Sequence, residues 1–497
     1  MKILLIAPAS GKWQHVGRSR VFGGKAFRFS LLSLLSVAAE SPEDADIQIV
    51  DEQIETIPWD ADVDVVGITC MTAVAPRAYE IARHFRGRGI PVVLGGMHPT
   101  LCPDEAIQHA DAIVTGDAEG VWQKVLADVS RGCLEGIYRN EQQRSLAGLK
   151  RPPRHLLSAQ EYATINAVQA TRGCPHGCDF CAIAAFNGRT QRQRPVEEVI
   201  AEVKDLHGRM FIFVDDNLTA DPEYAKRLFT ALKPLRKSWV TQSTLAIAKD
   251  PELVRLMADS GCIGLFVGLE TFVEDNLRSV NKTCHRVEEY RQAIQLLHRH
   301  GIAVEAGIVF GFDGDRPEVF RRTLETLDDL EVDMIQVSIF TPLPGTPRAK
   351  LLAGRVLDRQ WANYDFHHVV FQPANMRPEE LQAGHDWVTR QFYRPWRIIR
   401  RLLRHLRRPR TLASLPYVAA VNAAYLGRVL RWHIRGRDPA AHRSEASRER
   451  FAVHGASRTV GEGSETSSSA RRMLGRRSSF SATGTPAHCG LSNTSMR

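Results

Sequence analysis

Short apolar runs that do not alternate constrain this chain most. KILLIAP begins at Lys2, and IQIVDEQ, VDVVGITC, PVVLGGMH and DAIVTGDAEG follow, each brief and rich in β-branched residues. A strand with one wet face alternates apolar and polar side chains; a strand buried on both faces does not. Helical patterns lie between the runs: LLSLLSVAAE, AYEIARHFRGRG and EAIQHA. Strand and helix in repetition imply α/β architecture with an open, doubly wound (Rossmann-like) parallel sheet, whose ligands sit at the C-terminal strand edges. Those edges carry APASG, CMTA, GGMHPT and TGDAEG, mostly small and flexible residues.

A second alternation starts at INAVQAT. Further strand candidates are MFIFV (Met210–Val214), SWVTQST (Ser238–Thr244), CIGLFVGLE (Cys262–Glu270), VEAGIVFG (Val304–Gly311) and MIQVSIF (Met334–Phe340). Amphipathic helices such as PVEEVIAEVKDLHG and VEEYRQAIQLLHRHG separate them, the latter stopping at Gly301. Six β/α units predict a partial (β/α)6 barrel of TIM type, with its site at the C-terminal strand ends. The expected organisation is a doubly wound domain over 1–145, a linker over 146–164 containing KRPPRHLLS, a barrel over 165–372 and a helical region over 373–440. The Ser-, Arg- and Gly-rich stretch 441–497 has few apolar residues and is expected not to fold. A chain of 497 residues, 43% apolar and 24% charged, can build cores of this size without staples.

The net charge of +9 does not make this a nucleic-acid binder, because much of the arginine excess sits in RPWRIIRRLLRHLRRPR and the tail beyond. The N-terminal MKILLIAPAS is too brief for a signal segment and reads as a first strand. Cys70, Cys102, Cys133, Cys262, Cys284 and Cys489 are scattered without pattern. A reducing cytoplasm is the expected compartment, with the remaining clustered thiols as metal ligands rather than disulfides.

That cluster is TRGCPHGCDFCAI. Cys174, Cys178 and Cys181 are separated by three residues and then two. A closed zinc site takes four ligands. His176 lies inside the loop, and no second cysteine pair follows. An iron–sulfur cluster takes one thiolate per iron, so three thiolates leave one iron of a 4Fe-4S cluster open. An open position is what separates a catalytic metal from a structural one. Pro175 and Gly177 supply turn geometry, and Phe180 shields the last ligand.

CPHGCDFC resembles the CxxxCx(aromatic)C signature of radical S-adenosylmethionine (SAM) enzymes. The resemblance implies that the open iron chelates the amino and carboxylate groups of SAM, whose cleavage gives a 5′-deoxyadenosyl radical. It also implies roles at the strand ends: Glu270 in FVGLET as a polar contact to SAM, Gly307 and Gly311 in GIVFGF beside adenine, and Thr341–Pro347 as a closing loop. Gln242, in the third strand, is a further cofactor candidate. For Asp215 and Asp216 the readings of site residue and of turn former stay open.

The first domain resembles the cobalamin-binding domain of a large radical SAM subgroup, through VVGITCMTA, VVLGGMHPT and GDAEGVW. Gly95 and Gly96 would allow close backbone approach. The DxHxxG motif that carries a cobalt-ligating histidine in many cobalamin proteins is absent, and His98 is the nearest candidate. A nucleotide-like or vestigial domain is the alternative. The resemblance, which extends to hopanoid methylases and the anaerobic magnesium-protoporphyrin ester cyclase group, implies methylation of an unactivated carbon in a small-molecule or lipid substrate. Electrons would come from a donor such as flavodoxin or ferredoxin. Oxidative cyclisation without methyl transfer is the alternative chemistry, and a non-enzymatic metal- or cobalamin-binding protein is the alternative of another class.

In WRIIRRLLRHLRR, Trp396, Ile399, Leu402, Leu403 and Leu406 recur at helical spacing with arginines between. The favoured expectation is an amphipathic helix packed on the barrel with a solvated arginine face. Peripheral contact with the inner membrane face is the other reading. SLPYVAAVNAAYLGRVL is interrupted by Pro416, Asn422 and Arg428 and makes a poor membrane span.

Overall fold

The computed structural model describes residues 1–9, 20–22, 25–29, 31–140, 145–159, 162–282, 284 and 286–435. The stretch expected not to fold, 441–497, lies outside the described residues. Among those described, two six-stranded parallel sheets carry the architecture.

The first sheet contains β1 (Lys2–Ala7), β2 (Asp46–Asp51), β3 (Val65–Thr69), β4 (Val92–Gly95), β5 (Ala112–Thr115) and β6 (Ile137–Arg139), in the order β2-β1-β3-β4-β5-β6. The absence of alternation has the expected cause. Ile3, Leu5, Val93 and Val114 face one core, under helices Leu32–Glu40 and Trp122–Arg131. Leu4, Ile6, Val66, Ile68 and Leu94 face the other, under helix Ala75–Gly87. The strand order reverses between β1 and β3, where a doubly wound sheet opens its ligand crevice.

The second sheet runs in strict sequence order: β7 (Ala167–Val168), β8 (Met210–Phe213), β9 (Ser238–Ser243), β10 (Cys262–Glu270), β11 (Ala303–Phe310) and β12 (Met334–Ile339). All five pairings are parallel, and β7 does not pair with β12, so the barrel is partial. Helix Pro378–Phe392 packs beyond β12. Tyr393, just after it, places its hydroxyl on the backbone of that edge strand, accepting from Ile335 N at 3.0 Å and donating to Ile335 O at 2.7 Å. An otherwise open sheet edge is thereby satisfied.

One segment is more ordered than its pattern, and one expectation needs correction. The segment read as an irregular linker is tied down. Tyr162–Thr164 forms a strand beside Lys25–Phe29, Leu157 and Tyr162 are buried in the first domain's core, and Arg154 reaches Glu202 of the barrel. Residues 1–434 accordingly form one compact unit. The helix Pro395–Leu406 also faces the opposite way from the favoured expectation. Ile398, Arg401 and His405 are buried, whereas Trp396, Ile399, Leu403 and Leu406 are exposed. Polar partners decide this. Arg401 donates to Phe392 O at 2.9 Å and Asn422 Oδ1 at 2.8 Å, and His405 pairs with Asp333 and Ser414. No helix among the described residues is long and apolar enough to cross a membrane.

Candidate functional site

The cysteines sit on a loop that leaves the barrel just after β7. Its base is an antiparallel ribbon, Thr171–Gly173 against Gln191–Gln193. Gly173 has φ +91°, and a Cβ there would collide with the Thr190 carbonyl, so the chain turns toward Cys174 only with glycine. The residues after β8 hold the base from inside. Asp215 is fully buried and accepts from Ala170 N at 3.1 Å, from Thr171 N and from Thr171 Oγ1 at 2.8 Å. Burial pushes its carboxyl up to about 7, against those donors. Asp216 accepts from Gly173 N at 2.8 Å. Asn217 directs Nδ2 at Cys174 Sγ, 3.8 Å away, while its carbonyl accepts from Gln191 Nε2 at 2.7 Å. These residues are neither simple turn formers nor helix caps; they brace the cysteine loop from the neighbouring strand.

The far side of the loop is braced as well. Asp179 pairs with Arg348 at 2.6 Å, Asn281 donates to Gly177 O at 2.9 Å, and Phe180 meets Phe340 edge-on at 5.9 Å. Burial raises the thiol of Cys178 to about 12, opposed by the nearby Lys282. It raises Cys181 too, against the backbone N–H groups of Ile183 and Ala184. A bound metal reverses this, because coordination deprotonates a thiol outright. No three His, Cys, Asp or Glu side chains among the described residues converge as a single ion requires. Three thiols spread along one braced loop suit a multi-iron cluster, which takes each thiolate on a different iron.

Glu270 ends β10 in the left-handed region, φ +64°, an uncommon and strained conformation for a residue with a side chain. Its carboxylate is ion-paired with Lys282, and both are buried. Burial disfavours charge on Lys282, but Glu270, with Cys178 and Cys284 nearby, holds the ammonium above its ordinary pKa. Lys282 stands close to Cys178, Cys284 and His176. Nothing in VNKTC marks this lysine in the sequence. Gln242 and Gly307 lie on the two strands that flank β10, and a Cβ at Gly307 would press on Phe266 at 2.8 Å. Gly311 has a different setting: it turns against Leu381, Phe371 and Phe340, with its N–H on Asp315, in an apolar pack behind the strand end.

A cavity of about 350 Å³ opens where the first sheet's C-terminal edges meet the cysteine loop. Gly95, Gly96 and Gly116 line one side; Arg172, Phe186 and Asp216 line the other. It runs down the sheet face to Gly67, where a Cβ would strike Leu5 at 2.8 Å and Trp122 at 3.3 Å. This glycine-bordered slot is where the first domain would hold a cofactor. Arg172 closes the junction, with Asp117 and Glu119 each at 2.9 Å, and Arg192 joins Asp117 at 2.6 Å. His98 is not in the cavity wall. It is 0% exposed, bonds Tyr79 OH at 3.0 Å and Thr72 Oγ1 at 3.4 Å, and lies edge-on to Trp361 at 5.4 Å. It rivets the first domain to the segment after β12, and burial lowers its pKa. The expectation of His98 as a cofactor contact gives way to this packing role.

The comparisons with known proteins agree with both halves. The Radical SAM superfamily model matches residues 168–327, and the B12 binding domain model matches residues 28–126. The bacteriochlorophyllide d C-12(1)-methyltransferase of Chlorobaculum tepidum is 30% identical over 384 residues, 75% of this chain and 84% of that protein. The hopanoid C-2 methylase of Rhodopseudomonas palustris is 27% identical over 393 residues, 72% of this chain and 74% of that one. The fold is shared with the radical S-adenosylmethionine methyltransferase TsrM of Kitasatospora setae, solved with tryptophan and a SAM analogue, at TM-score 0.59 and 16% identity over 71% of this chain and 76% of that one. Its cofactors are therefore a 4Fe-4S cluster, SAM and cobalamin, and the chain belongs to the radical SAM superfamily, among the members that carry a B12-binding domain ahead of the barrel.

Proposed function

We infer that this enzyme is a cobalamin-dependent radical SAM C-methyltransferase acting on an unactivated carbon of a small-molecule or lipid substrate. One observation carries the reading: Asp216 borders the cavity of the first domain and also holds the backbone beside Cys174, so the two cofactor sites share a wall. When bound, the cluster with SAM and the cobalamin supply radical generation and methyl carriage. The chain's own residues orient and enclose them. Cys174, Cys178 and Cys181 hold the cluster, and Asp215, Asp216 and Asn217 fix the loop that presents it. Glu270 and Lys282 form a buried charged pair beside that loop, where SAM's amino and carboxylate groups need partners. Gly95, Gly96 and Gly116 leave room for the corrin's approach, and Arg172 seals the junction against water. Reduced flavodoxin or ferredoxin is the electron source. The substrates named for the relatives, a bacteriochlorophyllide and a hopanoid, suggest a large, ring-based apolar molecule.

The test is incubation of the reconstituted enzyme with SAM deuterated at its methyl group, a reductant, hydroxocobalamin and a panel of ring-based lipids and tetrapyrroles. A product heavier by one labelled methyl, with S-adenosylhomocysteine released, is expected. Deoxyadenosine without S-adenosylhomocysteine, and a product that loses hydrogen or gains a ring, would assign oxidative cyclisation instead.

A further inference from the structure

The helix Pro395–Leu406 turns its apolar side to solvent. Trp396 is 50% exposed, Ile399 57%, Leu403 49% and Leu406 50%. At about 100° per residue these four side chains fall within an arc of about 80°. Arg400 and Arg407 border the arc; both are exposed, with no ion pair among the described residues. The arginines farther round the same side are engaged: Arg397 with Asp328, and Arg404 and Arg408 with Glu331. The helix is thus anchored by its charged side, leaving a tryptophan-led stripe and two uncommitted cations outside. Its anchors, Asp328, Glu331 and Asp333, lie just before β12, at the end of the barrel opposite the cysteine loop.

Charge decides what covers this stripe. From Arg394 to Arg435 the sequence holds eleven arginines and no aspartate or glutamate. A second copy docked face to face would bring the same cations together. The chain's own tail, residues 436–497, carries ten arginines against five acidic residues and few apolar side chains, so it is poorly suited to cover a cationic face. An anionic lipid surface complements both components, taking the apolar stripe into the acyl boundary and the arginines among its headgroups. We propose that helix Pro395–Leu406 is a peripheral docking element for anionic membranes, attaching the enzyme by the barrel's closed end and leaving the cofactor mouth free.

The test is co-sedimentation of the full-length, cluster-reconstituted protein with vesicles of phosphatidylcholine alone or mixed with phosphatidylglycerol. The mixed vesicles should bind it and the neutral ones should not, with binding weakening as salt rises. W396S/L403S should abolish binding, and R400E/R407E should weaken it by about tenfold or more. Both pairs are exposed, so the thermal unfolding midpoint should stay at the wild-type value. Equal binding to both vesicle types overturns the proposal. So does wild-type binding by W396S/L403S, which would place the contact elsewhere, for example in the basic tail. A protein dimer that W396S/L403S dissolves would assign the stripe to a second copy.

Discussion

Asp215 shows how a residue can matter to a site without touching its chemistry. It sits at a strand end, fully buried, and receives the backbone of Ala170 and Thr171 and the Thr171 hydroxyl. Removing it strands buried donors, each costing about 1–3 kcal/mol. Asp215→Ala should therefore lower the unfolding midpoint by several degrees and reduce the iron retained after reconstitution and desalting. Asp215→Asn, which keeps one acceptor oxygen, should fall between that variant and wild type. The sequence placed Asp215 at a strand end but could not say what it holds, since its partners lie more than forty residues upstream. The three cysteines stand out in the sequence because their spacing is local. Lys282 and Arg172 do not, because a charged residue is marked by its partner, and Glu270, Asp117 and Glu119 reach them only through the fold. His98 misled for a related reason: a histidine beside two glycines at a strand edge has two sides to face, and Tyr79 and Thr72 draw it inward.

Among the elements, strands were read most closely. CIGLFVGLE coincides with β10, and the strands on either side end within a residue of their apolar runs. Burial on both faces leaves a continuous apolar mark that ends where the strand does. β6 and the small strand Tyr162–Thr164 were missed because three residues carry too little pattern. The C-terminal helices illustrate a different limit. Periodicity reveals that Pro395–Leu406 has two faces, but Arg401 and His405 turn inward on account of Asn422 and Asp333, which no local pattern pairs with them. The last helix, Leu415–Arg435, docks on the barrel strands through Tyr417 and Tyr425, around Glu305 of β11, with Tyr425 OH 3.2 Å from Glu305 Oε1. Burial raises Glu305 from 4.5 to about 7. The folded state therefore keeps a proton that the unfolded chain releases near 4.5, and stability falls as pH rises between those values. Glu305→Gln keeps an acceptor for the tyrosine and removes that dependence. The variant's midpoint should exceed wild type by a few degrees above about pH 7, and the difference should shrink toward about pH 5.

Across the whole molecule, two sheets with separate cores meet at one junction. The loop after β5 brings Asp117 and Glu119 to Arg172, which stands two residues before the first cluster cysteine. His98, Tyr79 and Glu105 meet Trp361 on another side of the same interface. The cavity at the first sheet's edge is thereby held against the cysteine loop, which is the arrangement two cooperating cofactors need. On the proposed function, one chain holds an iron–sulfur cluster on Cys174, Cys178 and Cys181 and a cobalamin on the facing domain, independently bound and jointly enclosed. The most direct measurement is metal and corrin content after anaerobic reconstitution with iron, sulfide and hydroxocobalamin. Wild type should hold about four irons and one cobalamin per chain, and C174A/C178A/C181A should lose the iron while retaining the cobalamin. A colourless protein holding zinc, or one that binds iron but excludes cobalamin from the glycine-lined cavity, would contradict the account.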